Sequence, residues 1–258
     1  MAVVRTDRWI AESQGDPFKV CKYLIKHFPT ASAAEIHHHL SMFGMYRSAK
    51  QGRELGKKLF AKDVWEIAAN ELELLQSEWN GPSVPIFIFP SDIANTDLML
   101  DFNGKSGLSY ADKLFLFISP YNTETEIKAL LTHEYNHVCR LNKYPKREQQ
   151  YTLLDTIILE GLAEMAVEER FGKASTSLWT SLYSDTQLNK LWKEIIYPKR
   201  NYVKESEIHE EVLYGFGDTP HMAGYCVGYY VVRNFLKRTN LQPGDILTLP
   251  STEIAQLT

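Results

Sequence analysis

Cysteine and long apolar runs are both scarce in this chain. Three cysteines in 258 residues (Cys21, Cys139 and Cys226) are odd in number and far apart, so a disulfide framework is not expected and a reducing compartment is favoured. No run of about 18 uncharged apolar residues occurs, and the first sixteen residues lack an apolar core of signal-peptide length. The expectation is therefore a cytoplasmic protein with no membrane segment. An excess of either charge is missing too: 28 Lys plus Arg stand against 32 Asp plus Glu, a net charge of -4, which argues against a nucleic-acid partner. Phosphate-binding Gly-Lys loops, dinucleotide fingerprints and G-x-S-x-G elbows are all absent, leaving phosphoryl transfer, hydride transfer and serine hydrolysis without support.

What is present is 44% hydrophobic residues and ample length for a core, with no repeat or low-complexity tract. Apolar residues recur at helical spacing from about Asp16 to Glu78, for instance Val64, Ile67, Ala68, Leu72 and Leu75. Two β-rich runs follow, Val84 to Pro90 and Lys113 to Ile118. Thr123 and Glu126 match a capping box, predicting a helix to about Leu141, and a second long helix is expected from Tyr151 to Phe171, stopped by Gly172. A last helix is expected to begin at Thr219-Pro220 and run to about Arg238. The pattern predicts one α+β domain over residues 1–258, mostly helical, with a helical part over 1–80, a catalytic part over 81–258 and a small sheet beside the helix capped at Thr123.

That helix carries His133-Glu134-Tyr135-Asn136-His137, an H-E-x-x-H. Four residues make a little over one turn, so both imidazoles leave one face and can share one Zn²⁺, with Glu134 beside the open coordination position. Zinc lowers the pKa of its bound water toward about 7, and a neighbouring carboxylate can take the water's proton and return it to a leaving amine. A third protein ligand is needed. The continuation H-E-x-x-H-x-x-G-x-x-H would require Gly at 140 and His at 143, where the chain has Arg140 and Lys143. The next helix offers Glu160 and Glu164 at i and i+4, with Gly161 beside them permitting close approach. Glu160 is the expected third ligand, and Glu164 is expected to accept the far N–H of a ligating histidine.

These residues resemble the gluzincin zinc peptidases, in which H-E-x-x-H lies on one helix and a ligating Glu on the next. More narrowly, HEYNH, LEGLAE and the later GYCVGY are similar to the YjaZ-like family of predicted zinc-dependent proteases from bacilli. The resemblance implies a zincin-like fold with one Zn²⁺ per chain.

The last helix offers candidates for an oxyanion donor. His221, Tyr225 and Tyr229 recur every four residues on it, with Tyr225 the first candidate and His221 the second, against the alternative that they are packing residues. Gly224 and Gly228 on the same helix would let it press against another backbone. The resemblance also implies an edge strand above the metal helix for pairing with substrate. The expected segment is Lys113 to Ile118, with a plain core strand as the alternative. His37, His38 and His39 point in different directions from their helix and are read as ordinary residues, and Cys139 as a buried apolar group.

The function expected is therefore a zinc metallopeptidase acting on a peptide or protein, with Glu134 as general base. The alternatives are a zinc hydrolase of another amide or small substrate, and a catalytically silent binding or regulatory protein of the same fold.

Overall fold

The computed structural model describes residues 2–257 and divides into two compact units, Met1–Tyr135 and Asn136–Thr258. The first unit opens with helices α1 (Thr6–Glu12), α2 (Pro17–Lys22), α3 (Ala33–Met42), α4 (Ala49–Phe60) and α5 (Val64–Trp79). Strand β1 (Ile86–Pro90), helix α6 (Thr96–Phe102), strands β2 (Ser106–Ser109) and β3 (Leu114–Ile118), and the start of α7 (Glu124–Lys143) complete it. The second unit holds the end of α7, then α8 (Leu153–Phe171), α9 (Asp185–Leu191), α10 (Tyr197–Lys199), α11 (Glu207–Glu210), α12 (Ala223–Thr239) and α13 (Ser251–Ile254). The expected α+β class is what is found. Among the described residues no helix is long and apolar enough to cross a membrane.

The sheet has three strands in the order β1-β3-β2, with β3 parallel to β1 and antiparallel to β2. β1 and β3 are buried along their whole length, which is why both read as nearly unbroken apolar runs. Their register pairs Phe87 with Phe115 and Phe89 with Phe117. These four rings share one face and enter a core with Val20, Leu24, Ile36, Leu40, Met45 and Tyr46. The far edge of β1 is taken by the N-terminal segment, where Ile86 N donates to the Ala2 carbonyl at 2.8 Å and Val4 N donates to the Ile86 carbonyl at 2.9 Å.

Two sequence expectations need correction. Lys113 to Ile118 is not an edge strand: β3 lies between β1 and β2, so its backbone groups are already paired on both sides. The last helix begins at Ala223, not at Thr219-Pro220. Met222 before it adopts a left-handed conformation (φ 55°) and its N–H donates to the Tyr214 carbonyl at 2.7 Å. Pro220 and His221 lie flush on Gly215, where a Cβ would come within 2.1 Å of the Pro220 carbonyl oxygen. This turn overrides the local Thr-Pro start signal and leaves His221 outside the helix.

In the second unit α8 and α12 meet backbone to backbone. A Cβ at Gly161 would lie 2.4 Å from the Gly228 carbonyl oxygen, and one at Gly228 would lie 2.0 Å from the carbonyl oxygen of Ile157. Around this contact Ile157, Ile158, Leu162, Val227, Val232 and Phe235 form the unit's apolar core. The end of α7 is tied to the C-terminal segment by Arg140, whose guanidinium is buried and donates to the carbonyls of Leu247 (2.8 Å) and Leu249 (2.6 Å). Burial pulls its pKa down to about 10, so it stays charged at neutral pH. Beside it Asp155 accepts from Lys146 Nζ at 2.8 Å and from Ser251 Oγ at 2.7 Å. Burial pushes the Asp155 carboxyl up, but the hydrogen bonds from Lys146, Ser251 and Thr152 outweigh it and hold the group below its ordinary value.

Gly228→Ala is expected to lower stability by about 1–3 kcal/mol, as overpacking against a backbone that cannot yield does, measured by urea denaturation. Because the Asp155 pKa is depressed by folding, its contribution is present above the unfolded-state value and is lost as pH falls through the folded value. Stability should therefore drop below about pH 4, and Asp155→Asn should flatten that part of the pH–Tm curve.

Candidate metal centre

α7 starts where its sequence says it should. Thr123 Oγ1 accepts from Glu126 N at 3.3 Å, and Glu126 Oε2 accepts from Thr123 N at 2.8 Å, closing a capping box. The helix then runs through the motif without interruption, so His133 and His137 stand one turn apart on one face. α8 is capped the same way by Thr152 and Asp155 and ends at Gly172 in a left-handed conformation, placing Glu160 near its middle. Glu160 precedes Gly161, the residue at which α8 and α12 touch.

His133, His137 and Glu160 each offer a ligand atom, and the three atoms lie within 4.8 Å of one another. His137 is buried and the other two are half-buried. His137 Nε2 and Glu160 Oε1 are 3.6 Å apart. That is longer than a charge-assisted hydrogen bond of about 2.8 Å, and close to the roughly 3.3 Å expected between two ligands about 2.05 Å from a tetrahedral ion. Two imidazoles and one carboxylate are also the donor set of a catalytic zinc site that keeps one position open. The residues present fit the metal.

Glu134 is buried, and its surroundings come from β2. Ser109 Oγ donates to Glu134 Oε2 at 2.6 Å and lies 2.9 Å from the Glu134 carbonyl oxygen. Gly107 lies directly against the same side chain: a Cβ there would stand 2.3 Å from Glu134 Cγ and Cδ. Neither contact is visible in the sequence, where Gly107 reads only as a breaker ahead of the next strand.

Other candidates are placed as follows. Glu164 is buried and accepts from Ser177 N and Ser177 Oγ, each at 2.8 Å, fastening the segment after α8. Tyr225 is half-buried on α12, its ring tilted against Trp179 at 5.3 Å and Tyr214 at 5.6 Å. Tyr229 is buried and its hydroxyl donates to Glu168 while accepting from Lys173 Nζ at 2.9 Å. Burial, the Glu168 contact and its charge all push the Tyr229 phenol well above its ordinary value, so it stays protonated. His221 is exposed, off the helix, and its carbonyl accepts from Tyr183 Oη at 2.8 Å. The His221, Tyr225 and Tyr229 stripe is thereby reduced to the two tyrosines, and only Tyr225 and Tyr229 lie on α12. Of the histidine triplet, His37 is buried and held by the Tyr46 carbonyl and Ser41, His38 is exposed, and His39 pairs with Tyr110 Oη at 2.7 Å.

An α+β fold with an H-E-x-x-H helix and a glutamate from the following long helix defines a candidate mononuclear zinc hydrolase site. Residues 64–256 match the family model described as Predicted Zn-dependent protease (DUF2268), and the chain belongs to that family. It is similar to the uncharacterized protein YjaZ of Bacillus subtilis (strain 168), with 38% identity over 97% of each chain. It is also similar to the uncharacterized protein YjfC of the same organism, with 23% identity over 81% of this chain and 74% of that one. No solved structure matches the chain significantly.

Glu164→Ala removes both acceptors of the half-buried Ser177 and should cost about 1 kcal/mol. Denaturation curves give the magnitude, and limited proteolysis should show cleavage moving into residues 173–181.

Proposed function

We propose that the protein is a zinc-dependent peptidase of the gluzincin type. The observation that carries this reading is the convergence of His133, His137 and Glu160 within 4.8 Å, with Glu134 on the same helix as both histidines. When bound, zinc would supply a water acidified toward a pKa of about 7 and a Lewis acid for the scissile carbonyl. His133, His137 and Glu160 would hold it, and Glu164, one turn further along α8 and also bonded to Ser177, would accept the far N–H of a ligating histidine. Glu134, with Oε2 held by Ser109, takes a proton from the attacking water at Oε1 and returns it to the amine nitrogen of the leaving group. Tyr225, with His221 as the alternative, donates to the oxyanion.

The strand edge offered to substrate is that of β2 and not β3. With β1 covered by the N-terminal segment and β3 in the middle, the edge of the sheet not paired to another strand among the described residues is that of β2, the strand whose Gly107 and Ser109 touch Glu134. An extended peptide added to that edge would lie beside the proton-carrying carboxylate, which favours a peptide over a small amide as substrate. A base is of no use to a silent metal-binding module, and the engaged, buried Glu134 therefore favours catalysis over a purely regulatory role.

Metal analysis of the purified chain should return close to one zinc per molecule, falling well below that in Glu160→Ala. Casein or a peptide library should be cleaved by the wild type, while Glu134→Gln keeps its zinc and loses about 100-fold or more in kcat. A zinc-free wild type, or equal activity in Glu134→Gln, would overturn the reading. Tyr225→Phe should retain zinc and reduce turnover.

A further inference from the structure

Glu134 is held from β2 by two contacts of opposite kind, one attractive and one made possible by a missing side chain. Ser109 Oγ carries a single proton and faces two acceptors of the same residue, Oε2 at 2.6 Å and the main-chain oxygen at 2.9 Å. The shorter contact, to a carboxylate, is the stronger one, and it fixes which oxygen is engaged. Two residues earlier on the same strand, Gly107 has no side chain, and the aliphatic part of Glu134 occupies the space a Cβ would take, with Oε1 only 2.4 Å from that position. Residues 107 and 109 lie on one face of β2 by the alternation of a strand, and Ser106 points the other way, its hydroxyl donating to the Phe43 carbonyl at 2.5 Å. The two β2 contacts therefore act together: one grips Oε2, and the other leaves room for the rest of the side chain, Oε1 included, against the strand.

We propose that Ser109 is the positioning residue for Glu134 and that Gly107 is required as glycine to seat it. This deepens the peptidase reading and rests on Glu134 being the proton carrier. The edge strand and the base then form one unit, so a peptide paired with β2 is registered against the same strand that orients the carboxylate. A carboxylate displaced by about an ångström is a poor base even when the metal is in place.

Replacing Gly107 separates this role from a structural one. Gly107 does not need the left-handed backbone, and the atoms a new Cβ would meet are those of a flexible side chain, so the fold can absorb Gly107→Ala by moving Glu134. Gly107→Ala should keep its fold and zinc content, with a melting temperature lowered no further than in Ser109→Ala, and still lose at least tenfold in kcat. Ser109→Ala should lower kcat about tenfold with KM within twofold of wild type and zinc near one per chain, and in a Glu134→Gln background it should remove nothing more. A crystal structure of each metal-free variant should show the Glu134 carboxylate displaced from its wild-type position. In the metal-free chain, the melting-temperature shifts of Ser109→Ala and Glu134→Ala should not add in the double variant. Unchanged kcat in Ser109→Ala, an equal loss in the Glu134→Gln background, or additive melting shifts would overturn the proposal. If the wild type binds zinc but cleaves no peptide, the peptidase reading falls, while the crystal structures and the melting cycle still decide whether Ser109 and Gly107 place Glu134.

Discussion

The carbonyl oxygen of Gly228 occupies the place where residue 161 would carry its side chain, and much of the second unit depends on that approach. Two helices that touch at glycine backbones can lie closer than the 8–10 Å usual for side-chain packing. The reciprocal contact of Gly228 with the Ile157 carbonyl, one turn before Gly161, fixes the pair in register as well as in distance. Glu160 is the residue beside that contact, so its backbone position is set by hard atoms that cannot move apart without losing the core around Leu162, Val227 and Val232. A candidate ligand carboxylate on such a scaffold has its backbone fixed in advance, which is what a preorganised site requires.

In the first unit Glu134 depends on a similar device at smaller scale. Gly107 again supplies an absence, here to admit a side chain rather than a backbone, and Ser109 supplies the hydrogen bond that selects one arrangement of what has been admitted. Burial makes that bond matter: a carboxylate with little access to water is costly without a donor, and Ser109 provides one at short range. The same logic recurs in the Arg140, Asp155 and Ser251 network, where a buried guanidinium and a buried carboxylate are each surrounded by partners. Arg140 stands where another class of H-E-x-x-H protein would carry glycine, and here its task is to fasten the C-terminal segment to the end of α7.

Helix starts were legible where the chemistry was local. The Thr123 and Glu126 box needs only residues three apart, and so does the glycine stop of α8 at Gly172, and both are found where the spacing predicts them. The Thr219-Pro220 signal is just as local and failed, because Met222 is held left-handed by its bond to Tyr214 and the preceding residues rest on Gly215. A contact with the preceding turn outweighed a cap that contributes about 1 kcal/mol. The strand order was illegible for a related reason. β3 is the more apolar of the pair it forms with β2, yet nothing within β3 says that β2, four residues with two serines and a glycine, would pair beside it and become the edge.

The sequence by itself determined the candidate set: His133 and His137 one turn apart with Glu134 between them, and Glu160 on the next long helix beside a glycine that permits close approach. Helical periodicity is a short-range property, so spacing alone carries that information. Tertiary structure decided what surrounds those donors: the grip of Ser109 on Glu134, the seat at Gly107, the attachment of Glu164 to Ser177, and the removal of His221 from the α12 stripe. Each of these depends on contacts of a few ångströms made outside the regular helix or strand spacing, and no local pattern records a distance that only packing creates.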